Sequence, residues 1–108
     1  MPTTYKVLGQ SNPAATTLTS LYTVPANTSA IISTITVASL GSAATFRIAV
    51  RPAGAAIANQ HYLAYDTTLA ANSTTALTLG ITLAATDVVS VYASTTGVSF
   101  VAFGQENS

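Results

Sequence analysis

The sequence predicts an all-β chain, an antiparallel β-sandwich of about eight short strands, jelly-roll-like in arrangement. Three observations predict it. Apolar residues recur at period two along most of the chain, as on a half-buried strand. Thr, Val, Ile, Tyr and Phe, which suit a pleated surface, fill these runs. Clusters of Pro, Gly, Asn and Ser separate them at short intervals.

In chain order, residues 4–9 form a short first strand, closed by Ser11-Asn12-Pro13. Residues 17–24 form a second, closed by Pro25-Ala26-Asn27. In 29–38, Ile31, Ile35 and Val37 share one face, and Ile32, Thr34, Thr36 and Ala38 the other. Ser39-Leu40-Gly41-Ser42 is the next turn. In 44–51, Ala44, Phe46, Ile48 and Val50 point inward, and Thr45, Arg47, Ala49 and Arg51 outward. Pro52-Ala53-Gly54 then breaks the chain, and Ala55–Asn59 reads as a crossing loop with one helical turn. Residues 60–65 form a short strand. Beyond Ala71-Asn72-Ser73, residues 75–81 alternate Leu77, Leu79 and Ile81 against Ala76, Thr78 and Gly80. In 88–93, Val89, Val91 and Ala93 oppose Val88, Ser90 and Tyr92. After Ser94-Thr95-Thr96-Gly97, the last strand, 97–103, sets Val98, Phe100 and Ala102 against Ser99, Val101 and Phe103. An immunoglobulin-like sandwich is the alternative architecture, although its Cys…Trp…Cys core is missing.

Residues 1–108 read as a single domain, with 1–13 as a candidate attachment arm. Composition limits what the domain can do. Only 6% of residues are charged, against about a quarter in an ordinary soluble domain, and the formal net charge is zero. Three cations are too few to make nucleic acid the main partner. No apolar run is long enough for a membrane-spanning helix, and residues 1–17 show no apolar signal-peptide core. The two Asn-x-Ser/Thr sequons, at Asn27 and Asn72, are therefore discounted. Without cysteine, thiolate zinc sites, iron–sulfur clusters, disulfides and thiol catalysis are excluded. Such a neutral, Ala- and Thr-rich surface is expected to be covered in an oligomer or a larger assembly.

Few residues could carry chemistry. His61 stands five positions before Asp66, and an extended strand would put the two on opposite faces. Asp66 and Asp87 are expected to cap turns through their own carboxylates. No nucleophile elbow, phosphate loop or second histidine occurs. The expectation is therefore no enzyme, no catalytic residue, no metal and no cofactor. The partner-interface candidates are Arg47 and Arg51, two residues of one outer face whose guanidinium groups suit a carboxylate, and Tyr62 and Tyr65. The tyrosines, Tyr92 among them, also allow a sugar platform.

Five stretches carry a resemblance: TTYKVLGQ (3–10), LYTVPANTSAIISTITV (21–37), FRIAVRPAGAAIANQHYLAYD (46–66), LTLGITLAATDVVSVYAST (77–95) and SFVAFGQE (99–106). Together they resemble small all-β virion proteins of tailed bacteriophages. The resemblance implies a structural role on the particle, in a symmetric oligomer assembled in the host cytoplasm, and brings no catalytic residues with it. The expected function is capsid cement or decoration: a homotrimer that binds the major capsid protein and stabilises the shell. The alternative is a tail, collar or fibre component that binds a receptor or glycan. A surface adhesin domain cut from a longer chain is a third reading, from outside phage biology.

Overall fold

The computed structural model describes residues 3–108. It contains nine strands: β1 (Thr3–Ser11), β2 (Thr19–Thr23), β3 (Ser29–Ser39), β4 (Ala44–Arg51), β5 (Tyr62–Leu69), β6 (Thr74–Leu77), β7 (Ile81–Leu83), β8 (Val88–Ala93) and β9 (Val98–Asn107). The first sheet runs β1-β9-β3, with β6 and β7 sharing the far edge of β3. The second runs β2-β8-β4-β5. Every pairing is antiparallel.

The pairings nest. β1 lies against β9, β2 against β8, β3 against β6 and β7, and β4 against β5. This is one long hairpin bent at the β4–β5 connection and rolled over. The additional pairs β3–β9 and β4–β8 then close it into two packed sheets. A jelly roll has this wiring, and it leaves only strand edges at the sheet margins to be managed.

The core lies between the sheets. Phe46 from β4 and Phe100 from β9 meet edge to face, with centroids 6.3 Å apart. Around them Ile48, Val89 and Val91 of the second sheet face Ile32, Ile35, Val37, Val98 and Ala102 of the first, all buried. Alternation in 44–51, 88–93 and 97–103 assigns the core positions of β4, β8 and β9 as the sequence predicts, although β9 continues to Asn107.

Three sequence expectations are corrected. In β3 the register shifts between Ile32 and Thr34, so one extra residue, Ser33, reverses the face parity. Ala30 and Ile32 point inward before the bulge, Ile35 and Val37 after it, and Ile31 lies on the outer face with Thr34 and Thr36. Residues 75–81 are not one strand. Gly80 takes φ +63°, the chain turns, and β6 and β7 meet β3 separately while Leu79 stays 52% exposed. Residues 55–58 hold no helical turn, and Asn59 opens the second of the two short 3₁₀ turns that flank them, Pro52–Gly54 and Asn59–His61.

Most of the 1–13 segment considered as an attachment arm, residues 3–11, is the edge strand β1. Residues 1 and 2 lie outside the described residues. Gly9 of β1 passes so close to the Leu21 carbonyl of β2 that a Cβ would collide with it, which ties this corner of the two sheets together. No described helix is long and apolar enough to cross a membrane.

Candidate functional site

The side chains singled out from sequence gather on the outer face of the second sheet. β4 presents Arg47 and Arg51 there, β8 presents Ser90 and Tyr92, and the edge strand β5 presents Tyr62 and Tyr65. A regular strand would send Tyr62 and Tyr65, three positions apart, to opposite faces. Two register shifts in the β4–β5 ladder prevent this. Phe46 pairs with Thr67 and Ile48 with Ala64, so Tyr65 and Asp66 together oppose Arg47. A second shift then brings Tyr62 opposite Ala49. Asp66 is the extra residue of the first bulge and adopts φ +49°, a left-handed conformation that Asp tolerates better than most side chains.

The bulge builds a cluster around Arg47. Its Nε and Nη2 donate to Oδ1 and Oδ2 of Asp66 at 2.6 and 3.2 Å. Its guanidinium lies 4.1 Å from the Tyr65 ring centroid and 4.2 Å from that of Tyr92, the residue directly across on β8. A guanidinium between two aromatic faces is held by cation–π attraction as well as by its ion pair. Tyr65 in turn meets Tyr62 edge to face at 4.8 Å. The Asp66 hydrogen bonds hold the Arg47 cation above its ordinary pKa, and Arg47 holds the Asp66 carboxyl below the usual carboxylate range. Asp66 thus serves Arg47 instead of capping a turn. Beside the cluster, Asn59, Tyr62 and Tyr65 line an open depression of about 290 Å³.

Arg51 is anchored differently. Its Nε donates to Ser90 Oγ at 3.1 Å, and Nη1 to the Ala55 carbonyl at 3.2 Å, so it pins the 52–61 loop across the outer face. Asp87 does cap: its carboxylate accepts from the Ala84 and Ala53 amides, both at 2.9 Å. His61 Nδ1 accepts from the Ala58 amide at 3.1 Å and closes the second 3₁₀ turn. Among the described residues no group of His, Asp and Glu is placed to hold a metal ion.

A second polar cluster joins the sheets at one end of the sandwich. Glu106 of β9 pairs with Lys6 of β1 at 2.8 Å and accepts the hydroxyl of Tyr22 from β2. Lys6 first, and the Tyr22 hydrogen bond second, hold the Glu106 carboxyl below its ordinary range. Burial, then Glu106 itself, pushes the Tyr22 phenol upward. Every one of the six charged side chains is therefore engaged within the chain.

Sequence reasoning put Arg47 and Arg51 on one outer face, where they lie, and gave Tyr62 and Tyr65 no face. It missed that Asp66 completes the cluster and that Asn59 borders it. A bulge has no periodic signature, so only the β4–β5 register reveals either. The outer face of the first sheet carries a further depression, about 510 Å³, beside Tyr5, Val7, Ile31 and Phe103. Compared with protein-family models, with curated proteins and with solved structures, the chain matches none of them.

Proposed function

We propose that this chain is a non-enzymatic structural protein of a tailed-phage virion, which decorates and cements the capsid shell as a trimer bound to the major capsid protein. The observation that carries the reading is the disposition of charge. All six charged side chains are spent on internal ion pairs, caps and loop anchors. Apart from these internally paired charges, the outer faces carry hydroxyls, tyrosines and scattered apolar groups, a composition suited to lasting contact with other protein surfaces. The mechanism is binding alone: a small, stiff sandwich bridges neighbouring shell subunits and adds contact area. In this reading the outer face of the second sheet docks, with Arg47, Tyr62 and Tyr65 at its centre and Arg51 holding the loop beside them. Arg47 and Tyr65 enter the contact already locked, so little side-chain freedom is lost on binding.

The test is re-binding of purified protein to capsids stripped of it. Tyr and Arg dominate protein contacts at roughly 2 kcal/mol or more each when central. The double variant Tyr62→Ala, Tyr65→Ala is therefore expected to lower affinity by a factor on the order of 10²–10³ while the fold persists. Unchanged occupancy would remove this face from the contact.

One observation favours a second reading, a tail or fibre component that binds a glycan. The depression at Asn59, Tyr62 and Tyr65 offers ring faces and an amide, and at about 290 Å³ it matches the small end of ligand pockets. A glycan array with no binder would end that reading.

A further inference from the structure

The jelly roll has four strand edges, and three of them are blunted. β2 is five residues long and bulged between Ser20 and Tyr22. β5 carries the two bulges of the Arg47 cluster. The far edge of the first sheet is split into β6 and β7 around Gly80. These are the devices by which sheet proteins avoid pairing through their edges. The fourth edge differs. β1 keeps a regular register with β9 from Thr3 to Val7, and its only shift comes later, between Val7 and Gly9. All five residues of that half are exposed, Tyr5 at 79% and Val7 at 47%. Its only charge, Lys6, would ordinarily guard such an edge, but Glu106 neutralises it at 2.8 Å.

We infer that β1 pairs with β1 of a second copy, antiparallel across a twofold axis centred on Tyr5. This rests on the self-association part of the proposed function and adds its geometry. The occupant is a second copy because the edge is self-complementary in the two respects that matter. An antiparallel edge meeting itself across a twofold matches each outward N–H with a C=O. A neutralised edge also offers nothing to select a charged partner. The register follows from charge and from the bulge. Centring on Tyr5 uses all five regular residues and sets Tyr5 against Tyr5, Thr3 against Val7, and Thr4 against Lys6. Centring on Lys6 would set two ammonium groups face to face, which is unfavourable. The Tyr5 pair is an aromatic cross-strand pair on the outer face, and it continues the apolar depression formed with Val7, Ile31 and Phe103. Five residues of edge bury less than the ~800 Å² per partner of a standard stable interface, so the pairing is concentration-dependent in solution. It uses a different surface from the outer face of the second sheet. Where threefold docking holds, β1 joins neighbouring trimers.

The experiment is sedimentation of the whole chain over a concentration series, together with hydrogen exchange at the amides of residues 3–7. The expected wild-type mass at high concentration is an even multiple of the chain, with slowed exchange confined to those amides. Tyr5→Asp places two carboxylates against each other at the axis and should halve the mass and release the protection. Leu79→Asp alters a comparably exposed apolar residue away from the edge, 52% accessible, and should do neither. An odd multiple or a monomer, or a mass that Tyr5→Asp leaves unchanged, overturns the inference. A trimer with unprotected 3–7 amides defeats the twofold edge and spares the decoration proposal. An even multiple that fails to bind stripped capsids does the reverse.

Discussion

Single residues decide how this chain responds to pH. Glu106 has a lowered folded pKa, so its contribution is present above the unfolded value near 4.3 and is lost as pH falls through the folded one. Asp66 behaves in the same sense. Tyr22 has a raised folded pKa, so its contribution is present below the unfolded value near 10 and fades as pH rises above that. Thermal stability is therefore expected to be flat from about pH 5 to 9 and to fall on both sides. Glu106→Gln should shrink the acid limb to what Asp66 supplies. It should also move the ionisation of Tyr22, which burial and Glu106 hold back, to lower pH, and so shorten the alkaline end of the tyrosine titration read by absorbance. An acid limb and a tyrosine titration both unchanged in Glu106→Gln would contradict the assignment. None of this was legible in the sequence, because Lys6, Tyr22 and Glu106 come from three strands that only the rolled hairpin brings together.

At the scale of elements, legibility followed regularity. The β4–β8 ladder has no inserted residue, and in β4, β8 and the first part of β9 Phe46, Ile48, Val89, Val91, Val98 and Phe100 are buried as the pattern predicts. Ala49 and Ser90 of the outward set are buried too. β3 and β5 carry extra residues, and each one reverses the parity of everything beyond it. That reversal is why Ile31 was grouped with Ile35 in the sequence and lies on the other face in the fold. It is also why Tyr62 and Tyr65 come together at all. The β3 bulge at Ser33 has its counterpart in Gly104 of β9, where a Cβ would strike the Ile31 carbonyl. Both neighbours there are backbone and cannot swing aside. Gly104→Ala is expected to cost about 3 kcal/mol in chemical denaturation. Gly41→Ala, with nothing within 4 Å of the new carbon, should stay within about 0.5 kcal/mol. Equal effects of the two substitutions would contradict the close crossing of β3 and β9.

For the whole molecule, the sequence carried the sandwich and the structure supplied the wiring. Residue Thr3 pairs with Asn107, so the two ends of the described chain close the first sheet. The closure also pairs Lys6 with Glu106, while Arg47 and Asp66 pair across β4 and β5, Arg51 ties down a loop and Asp87 caps a turn. The surface carries no net charge, and its most organised parts are the tyrosine and arginine face of the second sheet and the regular edge of β1. The proposed binding role on a large assembly would use both. The measurement that tests this most directly is the copy number of the chain in purified virions, by quantitative mass spectrometry against the major capsid protein. The account predicts copies in fixed proportion to the shell subunits. A handful of copies per particle, or none, would contradict it.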